Sequence, residues 1–133
     1  MIQAYNVNMS YKEDIQVLND VSFEVQQGEF VFLVGESGAG KTTILRLLYR
    51  GLIPTSGELV VAGRNLSTLS KSEIPGFRRQ IGVVFQDFKL LPNKTVQQNI
   101  AVAMKVTGIK PTEVHHNVNQ LLQQMSLVHR RDA

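Results

Sequence analysis

The stretch that decides the fold lies between residues 35 and 42 and reads Gly35-Glu36-Ser37-Gly38-Ala39-Gly40-Lys41-Thr42. This phosphate loop is a complete G-x-x-x-x-G-K-[S/T] motif, in which the glycines let the backbone curl until its N–H groups point at phosphate oxygens. Lys41 reaches the β- and γ-phosphates, and the Thr42 hydroxyl is placed to bind Mg²⁺. The loop therefore predicts that the chain binds a nucleoside triphosphate.

The residues on either side of the phosphate loop support this interpretation. The five apolar residues 30–34 predict a strand that is buried on both faces. Residues 43–50 predict a helix with one apolar face, made by Ile44, Leu45, Leu47 and Leu48. A strand, a glycine loop and a helix N-terminus in this order place the positive end of the helix dipole at the phosphates. The alternative, a glycine-rich turn before an ordinary helix, is disfavoured by this context.

Length and composition predict one modest domain. The chain has 133 residues, a net charge of +3 and no cysteine, which excludes disulfides and thiolate metal sites. Its longest apolar runs, such as residues 30–34, have five residues, far fewer than the about 20 residues of a membrane span. The basic clusters Arg78-Arg79 and His129-Arg130-Arg131 are short and lack an aromatic stacking pattern, so we expect no nucleic-acid partner. The adjacent His115 and His116 point about 100° apart on a helix, which disfavours a metal site.

The rest of the chain predicts further strands, of which 2–9 and 15–25 are antiparallel around a polar turn, followed by helices. The predicted strands are 2–9, 15–25, 58–62 and a second buried strand at 81–85, with a polar turn at Lys12-Glu13-Asp14. The predicted helical segments are a short turn at 72–79, a helix over about 96–106 with Thr95 as its N-cap, and a last helix opened by Pro111. In that last helix one apolar face is formed by Val114, Val118, Leu121, Leu122 and Met125.

Three further features are candidates for the same site or for a partner surface. Tyr11, beside the polar turn, is either a ring that stacks on adenine or a half-buried residue at a strand end. Gln86 follows the second buried strand, where its amide can bind Mg²⁺ or orient a water; the alternative is a polar loop residue. The segment 87–96 mixes apolar and charged residues, and it is either a partner contact or a loop packed on its own domain.

Taken together, these features resemble the nucleotide-binding domain of ABC-type ATPases. The phosphate loop, Tyr11 and Val84-Phe85-Gln86 are similar to that family's Walker A, A-loop and Q-loop. Within the family, residues 28–35, 47–50, 54–57 and above all 78–96 look like the FtsE group of bacterial cell-division ATPases. The ATPases of lipoprotein release and macrolide export share much of this pattern and are the alternative.

The resemblance implies a fold and a domain organisation. The fold class is α/β, a P-loop NTPase core with an N-terminal antiparallel β subdomain. Residues 1–86 would form the β subdomain with the phosphate loop, and residues 87–133 would begin the helical segment. The implied complex is a homodimer of the full-length domain, bound peripherally to the cytoplasmic side of the bacterial inner membrane through a transmembrane, permease-like partner of the FtsX type.

The resemblance also implies a role for each site residue. ATP would lie against Tyr11, the phosphate loop and Thr43, with the Tyr11 ring stacked on adenine. Lys41 would contact the β- and γ-phosphates, and Thr42 would bind Mg²⁺. Gln86 would sense the γ-phosphate, contribute to the Mg²⁺ site and link it to the membrane partner. Lys41 and Gln86 are thus the implied catalytic residues.

The sequence departs from the family mainly in what it lacks. No Leu-Ser-Gly-Gly-like signature follows Gln86, and the later acids Asp87, Glu113 and Asp132 do not end an apolar strand. The general base and the second Mg²⁺-organising carboxylate are therefore missing. We expect the chain to be the first part of such a domain, truncated before the signature motif, and to bind nucleotide weakly without hydrolysing it.

Two smaller departures and two competing hypotheses remain. Glu36 adds a negative charge beside the phosphates, and Gln97-Gln98-Asn99 replaces a stretch that usually carries Glu before Asn. A hypothesis of another class is a non-hydrolysing nucleotide-binding or interaction module. A P-loop kinase or GTPase is disfavoured, because Asn93-Lys94 is followed by Thr95-Val96 instead of the x-Asp of a guanine-specificity motif.

Overall fold

The computed structural model describes residues 1–12 and 15–133, so Glu13 and Asp14 of the predicted polar turn lie outside the described residues. The chain forms two compact units, residues 1–81 and residues 82–133. Its helices and strands are β1 (Ile2–Ser10), β2 (Gln16–Val25), α1 (Lys41–Leu48), β3 (Ser56–Val61), β4 (Arg64–Asn65), α2 (Ile74–Arg78), α3 (Val96–Val106) and α4 (Pro111–Gln124). One short 3-10 turn, Leu66–Thr68, follows β4, and another, Val128–Arg130, follows α4.

The first unit is built on a four-stranded antiparallel sheet in the order β2-β1-β3-β4. On the central strand β1, Ala4 pairs with Phe23 of β2 on one side and with Leu59 of β3 on the other. The apolar residues Ala4 and Val7 are an odd number of positions apart, yet both are buried. A bulge at Asn6, whose φ is 46°, shifts the phase of the strand between them and so keeps both on the core side. The predicted antiparallel strands are confirmed.

Helix α1 closes the core of this unit. Leu47 is buried, and Ile44 and Leu48 pack against the core residues of the sheet. Leu45, which the sequence placed on the same apolar face, is 54% exposed, so that part of the prediction is wrong. A helix of 8 residues buries only a narrow face against a sheet, and Leu45 lies at the edge of that face.

Two predicted strands are not formed. Residues 30–34 and 81–85 carry no strand, and their predicted burial is wrong, since Phe30 is 85% and Val84 is 99% exposed. A strand buried on both faces needs neighbours that hydrogen-bond to it and elements that cover it. Within the described part of the chain, no strand pairs with either segment. An apolar run shows only that a segment is suited to burial. Whether it is buried depends on other residues that pack against it.

The segment 30–34 nevertheless has two distinct sides. Val31 and Leu33 line an apolar groove together with residues of β2 and α1. Phe30, Phe32 and Val34 are more exposed, and the two phenylalanine rings meet edge to face with their centroids 5.0 Å apart. This alternation is the period-two pattern of an extended segment, and the side with Val31 and Leu33 is the less exposed of the two.

The second unit is a helical hairpin with a small core. Val114, Val118 and Leu122 of α4 are buried against apolar residues of α3. Met125, predicted on the same face, is the C-cap of α4 and is 62% exposed. Thr95 is confirmed as the N-cap of α3, and it forms a reciprocal capping box with Gln98. None of the helices found in residues 1–12 and 15–133 has the length and apolar character that crossing a membrane requires.

Candidate nucleotide-binding site

The phosphate loop leads directly into α1, and its last glycine is the N-cap of that helix. Gly38 and Gly40 have φ angles of 84° and 89°, a left-handed conformation that favours glycine. Gly40 is also buried against β2, because a Cβ placed there would lie 2.8 Å from Cδ2 of Leu18 and 3.2 Å from the carbonyl oxygen of Val17. The last glycine of the motif therefore lets the loop pass close to the sheet as well as letting it turn.

Helix α1 begins without a capping side chain. Gly40 offers none, and among the described residues no side chain accepts a hydrogen bond at this N-cap. The first N–H groups of a helix have no intrahelical acceptor, so those of Lys41, Thr42 and Thr43 point out of the helix end as donors. Its first turn also contains no acidic residue. The positive end of the helix dipole and these donors together suit a bound phosphate.

The Lys41 side chain folds back over the phosphate loop. Its ammonium donates hydrogen bonds to the carbonyl oxygens of Gly35 (2.7 Å) and Glu36 (2.6 Å). The Glu36 carbonyl also accepts from the Ala39 N–H at 3.2 Å, so hydrogen bonds within the loop itself hold its curl. Glu36 contributes here through its backbone, which every residue type can do. The two carbonyls hold the ammonium where an incoming phosphate would compete for it.

The residues around α1 fit a magnesium–nucleotide complex, in which waters and phosphates together supply most of the metal ligands. Thr42 is exposed at the start of α1, and its hydroxyl is an oxygen donor of the kind that Mg²⁺ prefers. Within the described ranges, no group of three or more His, Asp or Glu side chains could hold a metal ion. Mg²⁺ commonly keeps waters and nucleotide phosphates as its other ligands, so one protein hydroxyl is compatible with it.

Tyr11 follows β1 directly and reaches the first turn of α1. Its hydroxyl lies 2.9 Å from Oγ1 of Thr43, although the two residues are 32 positions apart in sequence. Thr43 is 5% exposed, whereas Tyr11 is 47% exposed. The phenol is thus anchored at its hydroxyl, and much of the residue remains open to a ligand. The fold brings Tyr11 to the helix that begins at the phosphate loop, and its stacking on adenine stays a prediction.

Gln86 belongs to the second unit and lies in a turn. The turn is closed by a hydrogen bond from the Phe88 N–H to the Phe85 carbonyl at 3.1 Å, and the Gln86 side chain is exposed. Beside it, a hydrogen bond from Lys89 lowers the pKa of the Asp87 carboxyl, and the two charged groups are 2.6 Å apart. Residues 81–85 do not form a strand, so the prediction that Gln86 follows a buried strand is wrong. Its part in Mg²⁺ binding stays a prediction.

The end of the loop after Gln86, from Leu91 to Thr95, is held by Asn99, whose role the sequence did not reveal. Oδ1 of Asn99 accepts from the Leu91 N–H at 2.8 Å, and Nδ2 donates to the carbonyls of Lys94 and Thr95, each at 3.0 Å. Its neighbour Gln97 bonds Asp132 and Arg131, and Gln98 completes the capping box. The Gln97-Gln98-Asn99 stretch therefore organises the start of α3. The signal that could have shown part of this is the Thr-x-x-Gln spacing from residue 95 to residue 98.

The loop after Gln86 presents apolar side chains to solvent. Phe88 is 77% and Leu90 is 67% exposed. Phe88 and Lys89 adopt positive φ angles of 56° and 49°, which non-glycine residues rarely do. Exposed apolar side chains of this kind are suited to contact with another molecule.

The antiparallel sheet, the phosphate loop and α1 together define a P-loop α/β protein. Residues 18–133 match the family model described as ABC transporter. The cell division ATP-binding protein FtsE of Bacillus subtilis (strain 168) is 42% identical over 98% of this chain and 57% of its own length. FtsE of Streptococcus pneumoniae serotype 2 is 45% identical over 98% of this chain and 56% of its own length. The methionine import ATP-binding protein MetN of Photorhabdus laumondii is 37% identical over all of this chain and 40% of its own length.

A solved structure supports the same family assignment. An ATP-binding cassette determined as a dimer in a post-hydrolysis state with ADP and Pi superposes with a TM-score of 0.87 at 30% identity, over 99% of this chain and 60% of its own. The chain therefore belongs to the ABC transporter family, and its resemblance to ABC-type ATPases and to FtsE is confirmed. It spans somewhat more than half of the length of these FtsE relatives.

Proposed function

We propose that this chain binds the triphosphate of ATP at the phosphate loop and serves as the ATP-binding part of a membrane-associated ABC-type complex. The observation that carries the proposal is the curled loop at the uncapped start of α1, with the Lys41 ammonium held over it. An incoming triphosphate would replace the two carbonyl partners of Lys41 and accept from the N–H groups at the start of the helix. Thr42 would contribute its hydroxyl to Mg²⁺.

The first test is nucleotide binding by titration calorimetry on the chain and on the Lys41→Ala variant. Lys41 makes charge-assisted hydrogen bonds of about 1.5–3 kcal/mol, so we expect its removal to weaken binding of Mg²⁺–ATP about 10- to 100-fold. Arg46→Ala is the matched control, because it removes a positive charge from the same helix at an exposed position. Equal affinities of the wild type and Lys41→Ala would contradict the proposal.

A second part of the proposal is that the chain on its own does not hydrolyse ATP. The carboxylate that would act as general base for water is not among its residues after Gln86. An ATPase rate of the purified chain that disappears in Lys41→Ala would contradict this expectation. The absence of such a rate, together with nucleotide binding, would support it.

For the biological process we propose cell division. The support is the identity of 42–45% to two proteins named FtsE. A second candidate is the ATP-binding subunit of an importer, favoured by the 37% identity to a protein named for methionine import. The export alternative of the lipoprotein-release or macrolide type stays a prediction. The assembled complex would contain a homodimer, as in the dimeric solved relative, and would lie on the cytoplasmic side of the inner membrane.

The proposed partner is a transmembrane, permease-like protein of the FtsX type, and its proposed contact is the loop after Gln86. Phe88 and Leu90 are exposed there, and the next residue, Leu91, donates its N–H to Oδ1 of Asn99. Co-purification with an FtsX-type protein in detergent should fall when Phe88 and Leu90 are replaced by serine. Met125→Ser is the matched control, since Met125 is a similarly exposed apolar residue of the same unit. Unchanged co-purification of the double variant would rule out this contact.

A further inference from the structure

The hydrogen bond between Tyr11 and Thr43 has no part in stacking on a base. Stacking needs only the face of the aromatic ring, whereas this contact joins the phenol hydroxyl to Oγ1 of Thr43 at 2.9 Å. Thr43 lies in the first turn of α1, immediately after Thr42, and its side chain is buried. The contact therefore connects Tyr11 to the first turn of the helix that follows the phosphate loop.

Both ends of the contact are held by the fold. The Tyr11 N–H donates to the Ile15 carbonyl at 3.1 Å, and the N–H of the preceding Ser10 donates to the Thr55 hydroxyl at 3.0 Å. Thr43 is fixed by the helix to which it belongs. A hydroxyl pair on two fixed elements can set the direction of a hydrogen atom without further rearrangement.

A bound anion would decide which of the two hydroxyls donates the hydrogen bond and which accepts it. Each hydroxyl has one hydrogen to donate and two lone pairs to accept with, whereas the oxygens of a fully ionised phosphate only accept. When Tyr11 donates to Thr43, the hydrogen of Thr43 is left to donate to the phosphate. The chain of two hydrogen bonds strengthens each member, because each polarises the next.

We propose that Tyr11 is a positioning residue for phosphate binding, which acts through Thr43 by orienting the threonine hydroxyl toward the bound phosphate. The inference rests on the proposed nucleotide site and adds a role to the Tyr11 side chain. Tyr11 would thus contribute to the binding of a polyphosphate that carries no base at all, and a ring that only stacks cannot do so.

The test compares binding of Mg²⁺–ATP and of inorganic tripolyphosphate to the whole chain. Tyr11→Phe keeps the ring and removes only the hydroxyl. We expect it to weaken the binding of both ligands about five-fold, the effect of one ordinary hydrogen bond. Tyr5→Phe is the matched control, because Tyr5 is on β1 with the same exposure of 47%, and its affinities should equal those of the wild type.

A double-mutant cycle tests whether the effect passes through Thr43. Thr43→Val removes the intermediate hydroxyl, and adding Tyr11→Phe to it should then change neither affinity. Thr43→Ser retains a hydroxyl, so in that background Tyr11→Phe should again weaken binding about five-fold. A purely structural role of the contact would lower the stability of the chain without producing this pattern of affinities.

The outcomes are distinguishable. If the wild type binds neither ligand, the proposed function fails and this inference fails with it. If the wild type binds but Tyr11→Phe does not weaken tripolyphosphate binding, the inference alone is overturned. If Tyr11→Phe weakens binding equally in the wild-type and Thr43→Val backgrounds, the route through Thr43 is overturned. A loss of stability with unchanged affinities would also overturn the inference.

Discussion

Replacing Gly40 by alanine should destabilise the first unit far more than the same change two residues earlier. A Cβ at residue 40 would lie 2.8 Å from Cδ2 of Leu18 and 3.2 Å from both Cγ1 and the carbonyl oxygen of Val17. Leu18 is 3% exposed, so it has little room to move away. At Gly38, no described atom outside its own neighbourhood lies within 4 Å of such a Cβ.

Two costs add at Gly40. Its φ of 89° is left-handed, which costs a residue with a Cβ about 1–2 kcal/mol. The contact with Leu18 is well inside the about 3.5–4.0 Å at which carbon atoms attract, and relieving such overpacking in a core costs about 1–3 kcal/mol. The expected total of about 2–5 kcal/mol is a large share of the about 5–15 kcal/mol that stabilises an ordinary domain. Gly38→Ala should cost only the first term.

Tyrosine fluorescence during urea unfolding measures the difference in stability between Gly40→Ala and Gly38→Ala in the first unit. The chain has no tryptophan, and its three tyrosines, Tyr5, Tyr11 and Tyr49, all lie in residues 1–81. The unfolding midpoint should therefore report on the first unit alone, and the measurement is made without nucleotide. Equal midpoints for Gly40→Ala and Gly38→Ala would show that packing against Leu18 is not what requires glycine at residue 40.

Three further predictions follow from other parts of the chain. Thr95→Ala removes the N-cap of α3 and should lower the stability of the second unit by about 1 kcal/mol, while Thr95→Ser should retain it; circular dichroism during urea unfolding measures both. Hydrogen bonds from Ser70 lower the pKa of Glu73, so carboxyl NMR should find this pKa below that of a free glutamate. The ionised Glu73 therefore stabilises the fold at a pH above the pKa it has in the unfolded chain, and this contribution disappears as the pH falls through its pKa in the folded chain. Replacing the outward-facing Phe32 and Val34 by serine should reduce the binding of an apolar fluorescent dye, and undiminished binding would place the exposed apolar surface elsewhere.

Local sequence patterns were sufficient for the elements that depend on nearby residues. The periodicity of residues 111–124 and the Thr95 cap predicted α3 and α4, because a helix closes its hydrogen bonds within its own segment. The same approach failed at residues 30–34 and 81–85, where apolar content was read as burial on both faces. Strand formation and burial depend on partners elsewhere in the chain, and a single segment cannot reveal whether those partners are present.

In the candidate site, too, some features could be predicted from the sequence and others could not. The loop residues were found from sequence because a phosphate cradle needs particular residue types at consecutive positions. Asn99 was missed because its amide acts on the backbone of a loop that lies outside its helix, and asparagine at such a place has no distinctive pattern. The bulge at Asn6 was missed for a related reason, since only the pairing with β2 shows where the phase of β1 shifts.

By itself, the sequence determined that this chain carries a phosphate loop of the ABC type, because that loop acts through its own backbone, one lysine and one threonine placed in a fixed order. Only the tertiary structure decided that Gly40 rests on Leu18, that the Tyr11 hydroxyl meets Thr43, and that Phe30 and Val84 stay exposed. The contacts of Gly40 and Tyr11 depend on how the sheet packs on α1, and the exposure of Phe30 and Val84 depends on which residues the fold leaves uncovered.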